Sequence, residues 1–417
     1  MTRTLASAAA LLLAACATAP VVTPDGAEVA SMREIIEAAP DGVPVRILVL
    51  HGQGAWEGWN DPDQARPPVA EAIARRLGGE PVRERGAIDL GLPAPVFEIG
   101  SRTLEPSEAQ WREDGQACRA SGEGGAVGTA EPYLDTVRFT YDDHPVTVFE
   151  LSYWPILGLL KCDQLIERDT ALIGRDTESY RACAARFPQA VEGRPRPDGA
   201  PRPAAINKAV KERLFEGGFG DAVLTAGPVG EVVHDAVLAA IRCAEAEGNP
   251  DRVAFVVTES LGSYVLIEAL LGAVAEAARA DEVGFVARAD SLYMLANQWA
   301  LLALADIGVR GEAGPSASEL QEAMAARDRV PVRAAGEIRQ IVAFNDPSDL
   351  LTYQTPDYFE EAVGVLEGRG RRVTVRNVTV PVATRWFGLF ANPVAAHLDY
   401  RTDERVLDMM IGEPVAR

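Results

Sequence analysis

Residues 252–271, RVAFVVTESLGSYVLIEALL, constrain this chain more than any other stretch. The five apolar residues Val253-Ala254-Phe255-Val256-Val257 predict a strand covered on both faces, because a strand with one wet face alternates instead. From Leu261 to Leu271 the sequence is apolar on nearly every side, which predicts a helix buried within a larger core. The chain must therefore turn from strand to helix within Thr258-Glu259-Ser260-Leu261-Gly262, and do so in the interior. So tight a turn needs small flanking residues. Gly262 is one, two residues after Ser260; two residues before it stands the β-branched Thr258.

Other segments supply the rest of a parallel sheet. Residues 43–50 read as a strand running into His51-Gly52-Gln53-Gly54, and residues 64–77 follow with helical spacing at Val69, Ile73 and Leu77. Residues 289–296, 337–344 and 373–380 read as later strands; alternation slips at Arg376-Asn377 in the last, which predicts a bulge. Residues 137–141 and 146–152 alternate around Asp142-Asp143-His144-Pro145 and predict a hairpin with His144 in its turn. Helices are expected over 206–215, 229–246, 319–327 and from about Asp403, a short strand over 221–225, and a loop holding Trp386 and His397. His234, on the 229–246 helix, reads as a packed or surface histidine. Residues 78–133 are irregular in pattern. At 47% hydrophobic and 24% charged, the composition is that of a globular chain. The expected architecture is one α/β domain over 32–417, a mostly parallel, doubly wound sheet with irregular inserts or a lid at about 102–132 and 153–215.

The first residues differ. Met1-Thr2-Arg3 is a short basic start, followed by a largely apolar run of eleven residues, 5–15, too short to span a bilayer. Leu13-Ala14-Ala15-Cys16 resembles the signal of bacterial lipoproteins. That likeness implies removal of residues 1–15, lipidation of Cys16, a flexible tether over 16–31, and a lipid-anchored place in the cell envelope, at the outer membrane facing the periplasm. A plain secretory signal is the alternative. The formal charge of -21 argues against an electrostatic nucleic-acid partner and against attraction to anionic lipid surfaces. Apart from Cys16 there remain Cys118, Cys162, Cys183 and Cys243, an even number that suits two disulfides in an oxidising compartment. Three pairings are possible; Cys162 with Cys183 is preferred because both lie in one inserted segment. No spacing among the cysteines and the four histidines suggests a metal site, and no cofactor is expected.

Four features fall at carboxyl ends of predicted strands, where open parallel sheets place their sites: the His51-Gly52-Gln53-Gly54 turn, Ser260, the turn Asn345-Asp346-Pro347-Ser348-Asp349, and His397. A serine hydroxyl becomes a useful nucleophile only when a base takes its proton, an acid orients that base, and fixed N–H groups receive the oxyanion. Thr258-x-Ser260-x-Gly262 is a partial match to the G-x-S-x-G elbow, and the chain order Ser, Asp, His is the one used by that fold. On these motifs the chain resembles an α/β-hydrolase of the serine esterase and lipase-like branch, over residues 45–411 apart from the inserts. The resemblance implies Ser260 as nucleophile, His397 as general base and Asp349 as the acid, with Asp346 capping the turn or serving as the alternative acid. It implies the N–H groups of Leu261 and Gln53 as oxyanion donors and a structural side chain at His51. Asn297 and Gln298 would line the pocket or cap a helix. The expected partner is a small-molecule ester or lipid-like substrate. A serine peptidase on the same fold, or a binding lipoprotein without turnover, prompted by Thr258 and the inserts, are the competing expectations. Oligomeric state is left open.

Overall fold

A computed structural model describes residues 29–52, 69–77, 84–99, 101–106, 117–120, 130–175, 177–191, 204–211, 216, 218–246, 252–275, 284–302, 339–355, 373–386 and 390–413. Helix α1 (Met32–Glu37) precedes strand β1 (Val45–Leu50), and α2 (Val69–Arg76) follows it. Short strands β2 (Glu84–Asp89), β3 (Phe97–Ile99), β4 (Arg102–Leu104) and β5 (Arg119–Ala120) lead to a hairpin of β6 (Tyr133–Tyr141) and β7 (His144–Ser152). Next come α3 (Trp154–Lys161), α4 (Glu167–Ile173), α5 (Glu178–Arg186), α6 (Ala205–Val210), α7 (Gly220–Thr225) and the long α8 (Val229–Ala246). Strand β8 (Val253–Glu259) runs into α9 (Leu261–Ala275); α10 (Gly284–Ala287), β9 (Ser291–Leu295), α11 (Trp299–Leu302), β10 (Arg339–Asn345) and β11 (Val373–Thr379) follow. Strands β12 (Arg385–Trp386) and β13 (Phe390–Ala391) and helices α12 (Pro393–Leu398) and α13 (Glu404–Ile411) complete the described chain.

The main sheet has nine strands in the order β11-β10-β9-β8-β1-β7-β6-β2-β5. Strands β7 to β11 in that order, through β1, are parallel, and β6, β2 and β5 continue the β7 edge antiparallel. The apolar runs Ile47–Leu50 in β1 and Val253–Val257 in β8 follow from their central place, since successive residues feed different cores. Leu48, Leu50, Ala254 and Val256 join the core under α8 and α9, whereas Ile47, Val49, Phe255 and Val257 join the one under α1, α2 and α13. Each large side chain buried this way stabilises the fold by about 1.5–3 kcal/mol. A third, small cluster around Leu159, Ile166 and Phe187 lies within the 153–215 insert, where Cys162 is bonded to Cys183 as preferred. The second disulfide joins Cys118, just before β5, to Cys243 on α8.

Several expectations are corrected. Residues 78–133 are not merely an irregular insert, because β2 and β5 extend the sheet. Their pattern is hard to read since β2 holds only Ala87 and Ile88 as larger apolar residues, with Gly86 where the Thr136 hydroxyl donates to its carbonyl at 3.1 Å. Residues 221–225 are helical rather than extended: three apolar residues fit either period, and burial of Asp221 against Lys161 Nζ at 2.8 Å favours the helix. Strand β11 has no bulge, for its register to β10 is continuous from Val373 to Thr379. Its polar residues instead suit an edge, where Asn377 Oδ1 accepts the Thr355 N–H at 2.8 Å. His144 begins β7; the two-residue turn is Asp142-Asp143, at φ 44° and 63°. Trp386 and His397 lie in β12 and α12 rather than in a loop. Ala30 and Ser31 are docked, not tethered: the Tyr293 hydroxyl donates to the Ala30 carbonyl at 2.8 Å, and Ser31 caps α1 in a capping box with Glu34. The signal segment, Cys16, Gln53 and the 319–327 helix lie outside the described residues. No helix among the described residues is long and apolar enough to cross a membrane.

A chain beginning at residue 29 should therefore show no free thiol when titrated denatured and unreduced. Replacing Cys162 and Cys183 together with alanine should lower its unfolding free energy by about 3 kcal/mol in urea titrations.

Candidate active site

Ser260 joins β8 to α9 with φ 54°, a left-handed conformation that side chains rarely adopt and that persists only where the surroundings enforce it. Its N–H donates to the Leu295 carbonyl at the end of β9 at 2.7 Å, which locks the turn to the neighbouring strand. Two glycines let the end of β1 press against it. A Cβ at Gly52 would lie 2.6 Å from Ser260 Cβ, and one at Gly262 would lie 2.5 Å from the Leu50 carbonyl oxygen. Thr258 occupies extended backbone within β8, opposite Leu50 and Met294, where a β-branched residue fits. Its buried hydroxyl lies 3.0 Å from Ser263 Oγ, so it has a partner. Thr258 thus coexists with the strained serine.

His397 and Asp349 arrive from distant segments. Ser260 Oγ lies 2.7 Å from His397 Nε2, and His397 Nδ1 lies 2.8 Å from Asp349 Oδ2. A carboxylate can only accept, so Nδ1 carries the proton and Nε2 is left to accept from the serine hydroxyl. Asp349 is held in turn: its Oδ1 accepts the Leu351 N–H at 2.9 Å and its Oδ2 accepts the Thr352 hydroxyl. Asp346 does a different job. Its carboxylate accepts the N–H groups of Ser348 at 2.7 Å and Ala383 at 2.9 Å, which shapes the turn rather than touching the histidine. Gln298 reaches the histidine, with Nε2 3.2 Å from His397 Nε2, while Asn297 Oδ1 accepts the Trp299 N–H at 3.0 Å and so caps α11. Leu261 is buried at the first position of α9, where its N–H has no intrahelical acceptor.

Around this chain lies a row of charges with no motif in the sequence: the carboxylates of Glu150 and Glu259 are buried, and the His51 and Arg401 side chains are half-buried. His51 Nε2 is 2.5 Å from Glu150 Oε1 and its Nδ1 is 3.5 Å from Glu259 Oε2; Arg401 grips Glu259 through Nε at 3.0 Å and Nη2 at 2.8 Å. Burial works against the charge on His51, but the Glu150 carboxylate, helped by Glu259, outweighs it and raises the imidazole pKa to about 9. Burial likewise opposes the charge on Glu259, yet Arg401 and then His51 hold its carboxyl down at about 2. The signal available in the sequence was a glutamate at the end of an apolar strand, which cannot be buried without cationic partners. Nothing in the sequence names those partners. Among the described residues, no three His, Cys, Asp or Glu side chains converge to hold a metal ion.

Two outcomes follow. Gly52→Ala should lower the unfolding free energy by about 1–3 kcal/mol in urea titrations, because the added methyl has no room beside Ser260. The charge on His51 stabilises the fold fully below its ordinary pKa of 6.5, and that contribution is lost as the pH rises through about 9. The Glu259 contribution is present above 4.5 and is lost as the pH falls towards about 2. Melting temperature should accordingly fall on the alkaline side, and His51→Gln should flatten that fall. Comparison with protein-family models, with curated proteins and with solved structures found no match to this chain.

Proposed function

We propose that this protein is a serine hydrolase of the α/β-hydrolase type that cleaves carboxylic esters through an acyl-Ser260 intermediate. The observation that carries the reading is the continuous hydrogen-bonded chain from Ser260 Oγ through His397 to Asp349, at 2.7 and 2.8 Å, beyond the carboxyl ends of β8, β10 and β11. His397 Nε2 takes the hydroxyl proton as Oγ attacks the ester carbonyl carbon. The tetrahedral oxyanion is met by the Leu261 N–H and, in this reading, by that of Gln53. Collapse expels the alkoxide, which receives the proton from His397. Water, deprotonated by the same nitrogen, then releases the carboxylic acid and restores Ser260. Asp349 orients the imidazole and stabilises the imidazolium.

The fit of Thr258 within β8 removes one of the two features that prompted a purely binding role, the other being the inserts, and so supports turnover. Two disulfides and the Leu13-Ala14-Ala15-Cys16 pattern support a lipid-anchored protein of the cell envelope acting on a small or lipid-like ester.

A fluorophosphonate probe should label the protein stoichiometrically, and Ser260→Ala should abolish labelling. Asp349→Asn should slow p-nitrophenyl ester hydrolysis by roughly 10⁴-fold and His397→Ala by roughly 10⁶-fold. Absence of labelling in the wild type, or labelling that survives Ser260→Ala, would overturn the reading.

A further inference from the structure

Glu259 stands next to Ser260 in the chain, and its side chain contacts two other segments of the site. One carboxylate oxygen faces Arg401 Nε at 3.0 Å; the other faces Arg401 Nη2 at 2.8 Å and His51 Nδ1 at 3.5 Å. Arg401 belongs to the short turn Asp399–Thr402 that directly follows α12, the helix bearing His397. His51 opens the turn that contains Gly52, the residue pressed against Ser260. We propose that Glu259 is a positioning residue for the ester chemistry inferred above: its carboxylate holds the His397 segment and the His51-Gly52 turn in register with the nucleophile. This inference rests on that reading of the site.

The surroundings make the clamp specific. His51 is faced by Glu150 from β7, at 2.5 Å, and by Glu259 from β8, while Glu150 also accepts the Val69 N–H at the start of α2 at 3.0 Å. From the segment before α3, the Tyr153 hydroxyl donates to the His51 carbonyl at 2.6 Å and to that of Gly52 at 3.2 Å. Tyr400, beside Arg401, accepts the Asp346 N–H at 2.5 Å, so the same turn also grips the segment that supplies the acid. The row Glu150, His51, Glu259, Arg401 sums to zero charge only while His51 is protonated. Removing Glu259 leaves Arg401 without this carboxylate and His51 with Glu150 alone, so the two segments lose the group that ties them together. A guanidinium holding both oxygens of one carboxylate fixes angle as well as distance, which a single contact does not. Near-attack geometry at the serine is sensitive to displacements of that size.

The test is Glu259→Gln in the full chain, with steady-state hydrolysis of a p-nitrophenyl ester, the rate of fluorophosphonate labelling, and nitrogen-15 titration of the four histidines. We expect kcat and the labelling rate to fall together by about 10- to 100-fold with KM changed less than about threefold. His51 should lose its proton at lower pH than in the wild type, the alkaline limb of kcat should move with it, and the His397 ring resonances should shift. Kinetics within threefold of wild type, or unmoved His51 and His397 resonances, overturn the inference. If the variant does not fold, Arg401→Lys, which keeps the charge but loses the fork, should show the same drop in kcat at unchanged KM, and its absence counts against the clamp. If wild-type protein takes no label, the ester reading falls by itself; the clamp is then decided by whether the His397 resonances shift in Glu259→Gln.

Discussion

How closely the end of β1 approaches the turn at Ser260 governs the rest of the site. A serine at φ 54° is strained, and left alone the backbone would relax to an ordinary conformation. Parallel pairing of β1 with β8 on one side and of β9 on the other leaves it no freedom to do so, and the Ser260 N–H is anchored on Leu295. The approach is possible only because Gly52 and Gly262 carry no side chain where backbone and Ser260 atoms already stand. The strain is thus maintained by two apolar cores, which fill both faces of the central strands. Thr258 does not disturb this arrangement, because it belongs to the strand and not to the strained turn.

Burial of the polar groups sets the electrostatics. Ser260, His397 and Asp349 are each less than a tenth exposed, so hydrogen bonds between them compete little with water. Asp349 orients the imidazole because its own oxygens are pinned by Leu351 and Thr352. The second set, Glu150, His51, Glu259 and Arg401, follows the same rule with full charges: the two buried carboxylates are not tolerable alone, and the half-buried His51 and Arg401 alternate with them in sign. Two of the segments that bring the reacting groups together also carry members of this charged row.

Legibility varied with the length over which a physical pattern repeats. The runs of β1, β8 and β9, the helix at 229–246 and the hairpin of β6 and β7 were readable because burial on one or both faces writes a period across many residues. Strands β2 and β5, at the end of the sheet beyond β6, were not, since few of their residues face a core. The five residues at 221–225 were too few to distinguish a helix from a strand, and Arg376-Asn377 broke alternation for the sake of an edge contact with Thr355. In the site, Ser260 and His397 could be named from strand ends and chain order, whereas Asp349 was preferred to Asp346 only through the family resemblance, because both stand in the same turn after a strand. Glu259, Arg401 and Glu150 could not be grouped, for they are separated by more than a hundred residues and share no spacing.

The sequence by itself determined an α/β chain with a parallel sheet, a serine at a forced strand-to-helix turn, and an acid and a histidine in the order that such a turn can use. These are local properties: periodicity, turn chemistry and position relative to a strand end are all written in neighbouring residues. Tertiary structure alone decided that Thr258 is compatible with the turn, that Asp349 and not Asp346 meets His397, and that His51 sits between Glu150 and Glu259, whose carboxylates raise its pKa. Each of those depends on which groups are brought within a few ångströms in a water-poor interior, where hydrogen bonding and charge are settled by neighbours in space and not by neighbours in the chain.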